Sequence, residues 1–317
     1  MQKTLEINPK VTKKKSISYA KWGYIFILPF FIAYLVFTLY PQITTIIYSF
    51  CDYHYVGTTA VGPEFIGFAN YQKLFTPDLN NNIMILKCLW NTIIMWVLGA
   101  VVQLAFSLLL ALFFTSTRLN LKFTGFFKSV FYMPNLIMAT AFAFLFYALF
   151  DKMGPFNHIL LALGWIDQRK DFVTTYTWST RGLVAFMNFL MWFGNTTILL
   201  MAGIMGIDES LFESARMDGA SSKRVFFDIT LPLLKPILIY VAITSMIGGL
   251  QMYDVPQVLT KGEGSPSYTS RTIVMYLNSN LSGARNYGMA GAIAVILFIV
   301  TSIFSVIVFK SISRKTE

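Results

Sequence analysis

Charge is scarce in this sequence. Only 13% of its 317 residues are Asp, Glu, Lys or Arg, roughly half of the about 25% that a soluble domain carries. With 56% hydrophobic residues, the deficit argues against an ordinary soluble surface and for a chain that resides in a membrane. Acid is the rarer sign, with 15 Asp and Glu against 25 Lys and Arg. A net charge of +10 is also what a nucleic-acid-binding protein carries. Here, however, the positive charge sits in short segments between apolar runs, where orientation signals of a membrane protein sit. Nucleic acid is therefore not expected as a partner.

Cysteine and histidine are scarcer still. Cys51 and Cys88 form no Cys-x-x-Cys pair, and both a disulfide and two ordinary membrane-boundary thiols remain open. His54 and His158 have no metal-ligand spacing around them, so no metal is expected. The sequence has no Gly-x-x-x-x-Gly-Lys-Ser/Thr phosphate loop, no Gly-x-Ser-x-Gly elbow and no His-Glu-x-x-His. ATP binding by that loop and the two hydrolase chemistries are thereby excluded. The charge-free runs hold no ionisable pair at membrane depth, which an ion-coupled transporter or voltage sensor needs. Energy for any transport would enter through a partner.

Six long uncharged runs are present. The first, from Trp22 to Cys51, is too long for a signal-peptide core and reads as an uncleaved span, with Pro29 and Pro41 as candidate kinks. The others are Cys88–Thr117, Ser129–Phe150, Gly182–Ile207, Pro236–Tyr253 and Asn286–Phe309. Each is long enough to cross a bilayer, which takes roughly 17–25 residues. Met153–Ile166 is too short and reads as an external or interfacial helix. The expected fold is all-α: a polytopic membrane protein with six transmembrane helices. Placing the N-terminus inside puts sixteen of the 25 Lys and Arg on the inner side and nine outside, so both termini are expected in the cytoplasm. Residues 1–21 read as a basic cytoplasmic tail, 22–310 as the transmembrane domain, and 311–317 as a second tail. Outside, Phe65–Phe75 combines turn residues Gly67 and Asn70 with aromatics, and reads as a structural loop over the helix ends, with Asn91 and Thr92 beyond it.

The loop at about 207–235 is a polar island between two apolar runs. Ser210 and Glu213 have the spacing of a capping box, and Gly219 suits a left-handed helix stop. Ser221 or Ser222 can cap a second helix, and Pro232 fits the first turn of the apolar run after it. Glu213, Ala215, Asp218, Gly219, Ala220, Phe226, Ile229, Leu231, Pro232 and Pro236 match the pattern of the EAA loop. On these residues the chain resembles the permease subunits of binding-protein-dependent ABC importers, most of all the first permease subunit of carbohydrate importers. Ser214 stands where the pattern has alanine, and Asp208 where many relatives have proline.

The resemblance implies a transmembrane subunit of an ATP-driven importer in a bacterial cytoplasmic membrane, forming the path for a sugar or oligosaccharide. It implies a second permease subunit, two cytoplasmic ATPase subunits that bind the ATP, an extracytoplasmic solute-binding protein, and membrane lipid around the helices. The chain itself would hold no cofactor and catalyse nothing. Glu213, Ala215, Asp218, Gly219, Ala220 and Phe226 would couple to the ATPase. A permease for another small solute, such as a glycerol phosphate ester, is the alternative. An ion-coupled transporter and an integral membrane enzyme are more distant rivals. For the solute path the candidates are Asn188, Trp192 and Asn195, which fall at i, i+4 and i+7 on one helical face, together with Gln251, Met252 and Tyr253. Neutral amides hydrogen-bond sugar hydroxyls and aromatic rings stack on apolar sugar faces. The competing reading of the same residues is packing between membrane helices.

Overall fold

A computed structural model describes residues 20–78, 81–116 and 122–313. The basic tail before residue 20, the loop at 117–121 and the last four residues, all expected on the cytoplasmic side, lie outside the described residues. The chain divides into two units, Met1–Ile47 and Tyr48–Glu317.

The first unit holds α1 (Ala20–Tyr34), a π turn (Leu35–Leu39) and the start of α2 (Tyr40–Ser49). Pro29 is accommodated inside α1. The π turn has a cause two residues further on. Pro41 has no N–H to give the carbonyl four residues back and its ring would crowd that carbonyl. The turn before it widens instead, with the Tyr40 N–H bonded to the Leu35 carbonyl.

The second unit opens on an antiparallel hairpin, β1 (Cys51–Val56) and β2 (Thr59–Phe65), joined through Gly57 at φ +63°. Asp52 pairs with Glu64 and His54 with Val61, so one bulge falls between them. Then come α3 (Ala69–Phe75) and α4 (Met84–Thr115). Asn70 is buried, and its amide donates to the carbonyls of Ser49 (3.0 Å) and Cys51 (2.9 Å), tying α3 to the hairpin. The Phe65–Phe75 stretch is thus structural. Cys51 and Cys88 are both buried and form no disulfide.

The third apolar run is not one straight helix. It divides into α5 (Thr124–Leu136) and α6 (Ala139–Phe150), which meet at 89°. Pro134 deprives α5 of a ladder N–H near its end. The Asn135 amide donates to the Met191 carbonyl at 3.1 Å, and Ile137 is extended. The described residues therefore contain five helices long and apolar enough to cross a membrane, and six if this bent pair is one span. The short helix α7 (Pro155–Ala162) occupies part of the stretch read as interfacial. Asn157, within it, is fully buried, donating to the carbonyls of Asp151 and Lys170 and accepting from the Lys170 N–H.

The remaining long helices are α8 (Thr177–Met205), α11 (Leu231–Leu250) and α14 (Tyr287–Ser313). Short helices α9 (Glu209–Met217), α10 (Ser222–Val225), α12 (Asp254–Leu259) and α13 (Ile273–Asn278) connect them. Small residues set the closest approaches, as expected where lipid supplies no hydrophobic drive between helices. A Cβ on Gly99 would lie 2.9 Å from the Ala185 carbonyl oxygen, and one on Gly194 would collide with the Phe131 carbonyl. So α4 and α5 press against α8 nearly backbone to backbone. Three apolar clusters result. One, around Met95, Met187 and Leu259, joins α4, α6, α8 and α12. A second, around Cys88, Met246 and Ile293, joins α4, α11 and α14. A third, around Ala111, Leu200 and Leu234, joins α4, α8 and α11.

The N-terminal end of α8 is locked by a buried cation. Arg181 is 8% exposed and donates to Asn91 Oδ1 (2.7 Å) and the Thr269 carbonyl (2.9 Å). Asn91 in turn donates to the carbonyls of Tyr268 and Arg271, and Thr92 accepts from the Ile273 N–H. Asn91 and Thr92 thereby fasten the 260–272 loop across α4 and α8.

Candidate functional site

A cavity of about 190 Å³ lies midway along α4, α8 and α11. On α4 it begins three residues beyond the Asn91–Thr92 lock, at Met95, and ends at Gln103. The face of α8 turned into it is the one that the i, i+4, i+7 spacing marks: Asn188, Trp192 and Asn195 all line it. Met252 closes it at the end of α11. No lining residue carries a charge.

The polar groups are unevenly committed. Asn188 donates to the Val184 carbonyl (2.9 Å) and touches Met252 Sδ (3.5 Å), leaving its Oδ1 as the open acceptor. Asn195 has no hydrogen-bond partner among the described residues. Trp192 is 47% exposed, enough to offer a ring face. Gln103 donates to Thr196 Oγ1 at 2.8 Å across α4 and α8. That pair, and Ser107 donating to the Phe193 carbonyl (2.9 Å), are helix-to-helix glue.

Two of the sequence candidates lie elsewhere. Gln251 ends α11 as an exposed C-cap, outside the lining. Tyr253 also lies outside it, its hydroxyl accepting from the Asn278 amide at 2.7 Å. Conversely, Trp96, Gln103, Tyr240, Thr244 and Ser245 line the cavity without having been singled out. A lone glutamine within an apolar run was the signal for Gln103. The two glycines of α11 divide their roles. Gly249 admits the Trp96 ring, with which a Cβ would collide, whereas a Cβ on Gly248 would meet nothing within 4 Å.

Beyond the C-terminal ends of α4 and α8 stands the polar loop. The cap of α9 differs from the expected box. Asp208 is the N-cap, accepting from the Ser210 N–H at 3.0 Å, and Ser210 lies inside the helix. Asp208 reaches this role because its carboxylate is one residue ahead of Glu209, where α9 begins. The Ser210 backbone N–H and then its hydroxyl hold the Asp208 carboxyl below the usual range. Gly219, at φ +72°, ends α9. Its N–H bonds to the Arg216 carbonyl (3.1 Å) and that of Ala220 to the Ala215 carbonyl (2.9 Å), the paired bonds of a Schellman stop. Ser221 caps α10, accepting from the Arg224 N–H at 3.3 Å.

α10 does not stand as a separate helix. It runs through a π turn (Phe226–Thr230) into α11. Pro232 comes after that turn at the spacing at which Pro41 comes after the first, and the Leu231 N–H bonds to the Phe226 carbonyl. Ala215 is buried and Phe226 half-buried, while Glu213, Asp218 and Gly219 are exposed. So is Met217, at 89%.

A bundle of apolar helices around an uncharged cavity, with a rigid polar elbow beyond one end of it, defines a polytopic membrane transport subunit. The chain belongs to the family described as binding-protein-dependent transport system inner membrane component, whose model matches residues 103–317. Members of that family are transport permeases and not enzymes. The arabinooligosaccharides transport system permease protein AraP of Bacillus subtilis (strain 168) is 32% identical over 297 residues, covering 90% of this chain and 87% of that one. The multiple sugar-binding transport system permease protein MsmF of Streptococcus mutans is 30% identical, covering 93% and 96%. In fold, the chain resembles a bacterial ABC transporter involved in the import of the acidic polysaccharide alginate. The TM-score is 0.75 at 21% identity, over 94% of this chain and 96% of that one.

Proposed function

We propose that this chain forms half of the membrane path of a sugar or oligosaccharide importer, in which the cavity receives the solute and the 207–235 loop receives the push of an ATPase. The observation that carries the reading is the cavity's chemistry: amides, hydroxyls and two indole rings, with no charge. That set suits a polyhydroxylated neutral solute. It disfavours a glycerol phosphate ester, since an anion at membrane depth needs a cation that the lining lacks. Relatives named for arabinooligosaccharides and multiple sugars agree with this.

A self-contained small-molecule site usually measures about 300–1,000 Å³. At about 190 Å³ this one fits a site shared with a second permease subunit. On the loop, the exposed Met217 and Glu213 stand on a helix capped at both ends, which suits a rigid contact with one of two cytoplasmic ATPase subunits. An extracytoplasmic solute-binding protein would deliver the sugar to the other face. Both termini and the 207–235 loop would then be cytoplasmic, in a bacterial cytoplasmic membrane. The domain division at residues 21 and 310 rests on the same orientation.

The test is ATP hydrolysis by the reconstituted assembly. A neutral oligosaccharide on its binding protein is expected to stimulate it, and stimulation by a phosphorylated solute alone would overturn the sugar assignment.

A further inference from the structure

A second hollow, of about 520 Å³, lies where α9 and α10 meet the inner ends of α4, α5 and α8. We propose that it binds the headgroup of an anionic phospholipid, with phosphatidylglycerol the best fit. The proposal rests on the cytoplasmic placement of the 207–235 loop in the importer reading.

The hollow is amphipathic in the sense a lipid requires. Leu112, Phe114, Met205 and Phe212 form its apolar wall, and Lys128 and Arg216 bring two cations to it from different elements. Lys128 stands directly before the charge-free run that begins at Ser129, and exposed Phe127 stacks on Phe114 of the hollow's wall, so exposed apolar surface of the kind acyl chains cover adjoins the hollow. A lysine at such a boundary keeps its stem along apolar surface and its ammonium at the headgroup level. Arginine binds phosphate in a planar, two-pronged way. Basic pockets between helices on the cytoplasmic side are where anionic headgroups are held.

Glu209 also lines the hollow, and it narrows the ligand. A bare phosphate monoester would meet a carboxylate beside its cations. The glycerol headgroup of phosphatidylglycerol supplies hydroxyls that can donate to Glu209 while the phosphate meets Lys128 and Arg216.

The experiment uses the intact importer assembly in vesicles of phosphatidylcholine containing phosphatidylglycerol. The ratio of the two lipids retained by the complex is read by mass spectrometry. Each cation near the surface adds attraction that corresponds to about fivefold in binding. Lys128→Gln should therefore lower the enrichment of phosphatidylglycerol by about fivefold. Lys128→Arg should keep it. Arg224→Gln, a cation exposed on α10 outside the hollow, should leave it unchanged.

Unchanged enrichment in Lys128→Gln would overturn the proposal, and so would an equal loss in Arg224→Gln, which would mean general surface charge. Displacement of the lipid by millimolar free glycerol phosphate would also overturn it, in favour of a soluble anion. Solute-stimulated ATP hydrolysis and labelling of position 224 are measured on the same preparations. Those readouts report on the importer reading and its orientation whatever the lipid ratio does.

Discussion

Asn195 and Asn188 differ in one respect that decides what their removal does. Asn188 already donates within its own helix, whereas Asn195 faces the cavity with no partner among the described residues. A hydrogen bond to an uncharged solute contributes about 0.5–1.5 kcal/mol. Asn195→Ala should therefore lower uptake roughly two- to tenfold, with the assembly intact. Asn188→Ala should do less, because only its Oδ1 is open. Uptake by vesicles reconstituted with each variant checks this, and full-rate uptake by Asn195→Ala would assign that residue to packing. The α8 side of the cavity was legible because one helical face collects its amides and indole at i, i+4 and i+7. The α4 and α11 sides were not. Those helices are mostly apolar, and apart from Gln103 no pattern in them marks the face on which Trp96, Tyr240 and Gly248 line the cavity. The cap of α9 teaches the same at smaller scale. Ser210 and Glu213 have the spacing of a box, yet Asp208 is nearer the first turn and takes the N–H. Asp208→Ala should speed hydrogen exchange at the start of α9 more than Ser210→Ala does. Because the folded carboxyl lies below its usual range, the cap's contribution is full above the unfolded value near about 3.9. It is lost as pH falls through the folded value. Titration of those amides at neutral pH should find no change.

Among the elements, two π turns show how much of helix irregularity a sequence carries. Leu35–Leu39 and Phe226–Thr230 each end two residues before a proline, so both widenings follow from a missing N–H. The 89° break between α5 and α6 was less legible. Pro134 marks the neighbourhood, but the break also depends on Asn135 reaching the α8 backbone, a contact no sequence pattern announces. The β1–β2 hairpin was missed for a similar reason, since its strands are short and held by Asn70 from outside the sheet. The stop of α9 was fully legible: a glycine after Asp218 takes φ +72° with open space around it. Space is thus no obstacle to a side chain at 219, and only the left-handed backbone is. A valine there faces roughly 1–2 kcal/mol of strain, which α9 relieves by re-aiming. Gly219→Val should therefore leave the helices and cavity assembled but lower uptake per ATP hydrolysed, or weaken ATPase docking. Uptake and hydrolysis measured together in vesicles check this. Normal docking, hydrolysis and uptake in the variant would remove the loop from the coupling role.

At the scale of the whole molecule, orientation decides which end of the cavity each loop serves. The asymmetry of sixteen basic residues against nine favours the 207–235 loop inside, because positive charge resists translocation. The placement of residues along the helices supports a consistent pairing of ends. On α4 the order is Asn91, the cavity at Met95 to Gln103, then Leu112 beside the polar loop. On α8 it is Arg181, the cavity at Asn188 to Leu199, then Ile204 beside the same loop. One end of the bundle thus carries the Arg181–Asn91 lock and the 260–272 loop, and the other carries α9 and α10. Orientation of the loop therefore fixes that of the lock. Single cysteines test it cleanly, since Cys51 and Cys88 are 6% and 0% exposed and should react little with a bulky charged reagent. A cysteine at Arg224, on the exposed side of α10, should be labelled only after the inner face is opened. One at Glu64, on the exposed strand β2, should be labelled in intact cells. Labelling of position 224 from outside would invert the molecule. It would also separate the polar loop from any cytoplasmic ATPase, however well the loop is built to receive one.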